Sequence, residues 1–76
     1  MAEIEDIAFK IVAAFEDNYF EVAKRNIFVA LFNRYLSIAD PGGDMEQYDA
    51  ITELGHSYRD EFDRMVKELK DRSLIS

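Results

Sequence analysis

The chain predicts an all-α fold: a small bundle of three helices with antiparallel neighbours, or four helices if the last one breaks near Gly55. Three observations lead there. Apolar residues recur at three- and four-residue spacing along most of the length. Period-two alternation, the mark of a half-buried strand, is missing. Proline and two of the three glycines gather at Asp40-Pro41-Gly42-Gly43, so there is one firm loop.

The first helix is expected over residues 3–17. Ile4, Ile7, Ile11, Val12 and Phe15 form one apolar stripe. Glu3, Glu5 and Asp6 suit the positive end of a helix dipole, and Asp6 lies four residues from Lys10. Phe9 falls off the stripe, so it packs against a third element or faces a partner. Asn18 followed by Glu21 has capping-box spacing and predicts a restart. The break is soft without Gly or Pro, and one continuous helix over 3–38 is the alternative.

The second helix, 19–39, is the most hydrophobic. Ile27 to Phe32 is an unbroken apolar run that covers every side of the cylinder. Such a helix must be buried on more than one face. Ile27, Leu31 and Ile38 form one row; Phe28, Phe32 and Tyr35 form another. Covering both in so short a chain is difficult, which marks Phe28, Phe32 and Tyr35 as self-association contacts. Size points the same way. A chain of 76 residues buries only roughly 60% of its unfolded surface, and without cysteine or a structural metal such domains often gain burial by self-association. A homodimer is therefore expected.

Asp40-Pro41 stops the second helix, and the two glycines permit the reversal. Asp44 with Gln47 repeats the capping-box spacing, so a third helix is expected over 44–54. Tyr48, Ile51, Tyr58, Phe62, Met65 and Leu69 keep a near-heptad register that would run on to about residue 72. Against continuity, Gly55-His56-Ser57 can close one helix and open another over 57–72, with Ser57 as N-cap and Asp60 as its N3 acid. The tail Ser73-Leu74-Ile75-Ser76 is expected to fray.

Composition narrows function by exclusion. The net charge of −7 is local: between Asp40 and Asp63 stand eight acids and one base, Arg59, and the remaining acids and bases balance. Clustered Lys and Arg for phosphate contacts are absent, so direct nucleic-acid binding is not expected. The longest apolar run, six residues, is far short of the ~20 needed to span a bilayer. MAEIED lacks a basic n-region. A soluble, cytoplasmic protein is the expectation.

Most charges after Arg59 pair at i,i+4 (Arg59–Asp63, Asp60–Arg64, Asp63–Lys67, Arg64–Glu68, Lys67–Asp71, Glu68–Arg72) and describe an ordinary solvent face. The earlier acids have no such partners. Asp40 suits the turn, and Asp44 and Glu46 suit a helix N-terminus, but Asp49 and Glu53 are like charges one turn apart. With Tyr48, His56 and Tyr58 beside them, they form a surface suited to a basic partner: charge steers the encounter and aromatics anchor it. The competing explanation is a solvated acidic surface that serves solubility.

Glu53-Leu54-Gly55-His56 matches the Glu-x-x-His spacing of di-iron helix bundles. With one His in the chain, a symmetric dimer would have to complete such a site with Glu16, Asp17 or Glu21. The acids of 40–49 lack the EF-hand pattern. No cysteine, nucleophile–base pair or phosphate loop suggests catalysis, and no cofactor is expected. The sequence thus reads as a non-enzymatic interaction module. Asp44, Glu46, Tyr48, Asp49, Glu53, His56 and Tyr58 would bind a basic protein and could inhibit it, as immunity proteins and antitoxins do. A metal-binding dimer using Glu53 and His56 and a structural homo-oligomer are the alternatives.

Overall fold

A computed structural model describes residues 3–17 and 21–75. Four helices follow in order: α1 Glu3–Glu16, α2 Val22–Ala39, α3 Gln47–Ser57 and α4 Arg59–Asp71. There is no strand among the described residues. α3 packs against each of the other three helices, and α4 also packs against α2.

α1 turns its expected stripe inward. Ile11 is fully buried together with Ala8, and Ile4, Ile7, Val12 and Phe15 pack on the same core. Its C-terminus is tied to α2 by Arg25, whose Nη1 donates to the Phe15 carbonyl at 3.3 Å. The same guanidinium lies 4.9 Å over the Phe15 ring. A cation at this end complements the helix dipole.

α2 begins later than expected. Glu21 takes the N-cap position in extended conformation, with no side-chain cap bond; the Asn18 of the expected Asn18–Glu21 box lies outside the described residues. The row assigned to self-association is also corrected. Phe28, Phe32 and Tyr35 are 0%, 5% and 6% exposed within the single chain. Phe15 covers the first two at centroid distances of 5.3 and 5.0 Å, and Phe28 meets Phe32 edge-on at 4.7 Å. α3 and α4 supply the rest of the cover with Ile51, Leu54, Phe62, Met65 and Leu69. Four short helices enclose what three longer ones could not.

The α2–α3 loop is held by Asp40. Its backbone carbonyl accepts from Gly43 N at 3.1 Å, closing a turn with Pro41 at the first corner, Gly42 at the second and Gly43 leaving it at φ 69°. Its carboxylate accepts from Asp44 N at 3.1 Å and Met45 N at 2.9 Å. With the Asp44 amide taken up by Asp40, Gln47 has no free N-cap amide to reach back to, and the Asp44–Gln47 capping box does not form. Glu46 becomes the N-cap, without a side-chain bond, and α3 starts at Gln47.

The last helix does break, but at Tyr58 rather than at Gly55-Ser57. Ser57 is the final residue of α3, and Tyr58 caps both helices with φ −132° and ψ 62°. A continuous helix over 47–71 would be roughly 37 Å long, beyond the 31 Å longest extent of the molecule. The break lets Phe62, Met65 and Leu69 turn back onto the α2 aromatics. Gly55 sits inside α3 as a point of close packing: a Cβ built there would stand 2.4 Å from Ile4 Cγ2 of α1.

The tail is ordered as far as Ile75. Leu74 N donates to Leu69 O at 2.8 Å and Ser73 N to Lys70 O at 3.0 Å, with Ser73 at φ 58°. These bonds form a Schellman closure with serine where glycine is usual. It folds Leu74 under α4 to 3% exposure. The hydrophobic C″ contact opposes the fraying expected of an exposed tail.

Candidate functional site

The expected site residues divide into three groups. Asp49, Glu53 and His56 recur at four- and three-residue spacing and share one outward face of α3. Tyr48 and Glu46 lie at the edge of α3 that faces α1, around a depression of about 420 Å³ shared with Phe9, Val12, Ala13 and Glu16. Asp44 lies in the loop and Tyr58 in the α3–α4 junction, exposed at the two ends. The seven residues therefore follow the length of α3 rather than meeting at a point.

Two of them have local partners. Glu53 Oε1 accepts from Ser57 Oγ at 2.8 Å. His56 Nε2 is 2.7 Å from Glu5 Oε1 and bridges α3 to α1. The His56 hydrogen bond holds the Glu5 carboxyl below its ordinary value, helped by the backbone amide of Glu5. Sequence spacing did not reveal Glu5, because it lies 51 residues away.

Among the described residues neither Asp49 nor Glu53 has an ion-pair partner, and the bases nearest in sequence are paired elsewhere. Arg34 donates to Glu68 and also, at 2.7 Å, to the Tyr35 hydroxyl. Arg59 pairs with Asp63 at 3.1 Å along α4. Of the other i,i+4 pairs, Lys67–Asp71 forms at 3.6 Å, while Glu68 turns from its neighbours on α4 to α2. There it accepts from the Tyr35 hydroxyl, the main cause of its lowered pKa, with Arg34 adding to it.

Phe9 is the residue whose role the sequence left open. It is 68% exposed and stands between two depressions. One is the Glu46–Tyr48 depression; the other, of about 360 Å³, is lined by Lys10, Ala14, Leu74 and Ile75, with Ala13 common to both. Glu16, which the metal alternative would borrow from a second copy, sits beside Glu46 in the same chain. Among the described residues no group of three or more His, Asp or Glu side chains is placed to hold a metal ion. His56 is turned to Glu5, and the metal alternative gains no ligand set.

A further depression, of about 370 Å³, lies between α2 and the loop, with Phe15 and Phe32 among its lining residues. Its one titratable residue, Asp40, is occupied in holding the loop. No helix among the described residues is long and apolar enough to cross a membrane. Comparison with protein-family models, curated proteins and solved structures finds no match to this chain.

Proposed function

We propose that the protein is a non-enzymatic interaction module that uses the outer face of α3 to bind, and thereby occlude, a basic protein. One observation carries this. Asp49 and Glu53 project from the helix most fully held by the bundle, and the basic residues nearest in sequence, Arg34 and Arg59, are bound to Glu68 and Asp63. The chain spends its own cations elsewhere and leaves this face negative. Rigid, uncompensated carboxylates steer an oppositely charged partner and favour its release at moderate salt. Tyr48 at one edge, 36% exposed, supplies an amphipathic anchor of the kind that concentrates binding energy.

The test is affinity capture from a native lysate with step-salt elution, comparing wild type with D49K/E53K. The expected result is a basic protein released between low and moderate salt by wild type and absent from the charge-reversed bait, with both baits melting at similar temperatures. Equal capture by the two baits would remove the acidic face as the site.

A further inference from the structure

Resting on the proposed binding of a basic partner at the α3 face, we infer that the same partner also presents a basic amphipathic helix, laid along the neighbouring outer face of α1 across Phe9 and Ala13. Phe9 is an exposed Phe on a helix whose other large apolar residues are at least partly buried, and it leaves apolar surface open to solvent. It is set in relief, with a depression on each side. Ala13, one turn on, is small enough to let a second helix come close, so Phe9 and Ala13 make a ridge and a groove of the kind packed helices interlock. Val12 and Tyr48 extend the apolar floor on the α3 side.

Charge selects the occupant. Asp6 shares the outer face with Phe9 and Ala13 by helical spacing, and Glu16 and Glu46 stand beside the groove, against Lys10, the one cation of α1, with Arg25 of α2 held at the Phe15 carbonyl and ring. A second copy would bring the same acids, and an antiparallel pairing of two α1 helices about Ile11 would set Asp6 against Glu16. An anionic lipid surface meets the same repulsion. Lys or Arg flanking an apolar row resolves it, with the apolar row against Phe9 and the cations reaching Glu16, Glu46 and Asp6. The groove from Asp6 to Glu16 is roughly 15 Å long, about three turns of a docked helix. The α3 acids then act as the neighbouring field that draws this helix in.

The probe is a 14-residue peptide of Leu and Lys in amphipathic helical spacing, beside one with Glu in place of Lys. Each is titrated into wild type, F9S, A13R and D49K/E53K, with backbone amide shifts mapped. Binding of the Lys peptide to wild type is expected, with shifts centred on Phe9, Ala13, Glu16 and Tyr48, and at least tenfold weaker binding to both F9S and A13R. Both sites are exposed, so melting should not change; A13R blocks the groove without removing Phe9 and serves if F9S proves unstable. No binding of the Lys peptide at low salt, or equal binding of the Glu peptide, overturns the inference. Loss on D49K/E53K but not on F9S or A13R overturns the groove while leaving the acidic face standing. A concentration-dependent dimer dispersed by F9S assigns the groove to a second copy and overturns it as well.

Discussion

Gly55 shows how far a residue can be read without its neighbour. Helix propensity alone makes it a weakness worth ~1 kcal/mol against alanine, which is why a break beside it is a reasonable expectation. The structure puts the break three residues later and uses the missing Cβ to admit Ile4. Alanine at this site would gain its propensity and lose more to the clash, since overpacking typically costs 1–3 kcal/mol. G55A should therefore lower unfolding free energy by about 1–2 kcal/mol in urea titration, and I4A in the G55A background should cost less than in wild type. A more stable G55A would refute the close contact. The same limit applies to Glu5 and Glu68. Their partners, His56 and Tyr35, stand 51 and 33 residues away, and i,i+4 spacing on one helix cannot find them.

At the level of elements, the helices, their inward faces and the ends of α1, α2 and α4 were legible, and the starts of α2, α3 and α4 were not. Apolar spacing identified the α1 stripe and the α4 row Phe62, Met65 and Leu69, because amphipathicity reports burial directly. The Asp44–Gln47 capping box failed because short-range spacing competes with loop geometry: Asp40 takes the Asp44 amide to which Gln47 would have reached back. The docking of α1 on α3 has an electrostatic part that pH can expose. The folded-state pKa of Glu5 is lowered, principally by His56, so its contribution is present above the ordinary glutamate value of about 4.3. It is lost as pH falls through the lowered value. The stability difference between wild type and E5Q should thus shrink on acidification below about pH 4.3. Urea titrations of both proteins at several pH values would measure it; a difference that persists or grows at pH 3 would contradict the pairing.

For the whole molecule, the question is whether the α2 aromatics belong to one chain or to two. Sequence reasoning sent Phe28, Phe32 and Tyr35 outward because three long helices leave one face of α2 bare. The break at Tyr58 and the Schellman closure after α4 supply the missing cover; Gly55 announces the first only from three residues away, and the second turns on Ser73 where glycine is usual. The acidic stretch is isolated from bases along the chain, and the two arginines that flank it in sequence, Arg34 and Arg59, pair with Glu68 and Asp63. A chain of this length has a stability of roughly 4–11 kcal/mol, and truncating a buried Phe to Ala costs about 3–5 kcal/mol. F28A should consequently take a large share of the folding free energy, seen as a lower urea midpoint and lost near-ultraviolet signal. Its mass by light scattering, wherever it remains folded, should equal that of wild type. Were Phe28 an intersubunit contact, F28A would instead yield a folded species of half the wild-type mass with little loss of helix. Sedimentation and circular dichroism on the same sample separate the two outcomes, because only a core residue couples the aromatic signal to folding without changing the mass.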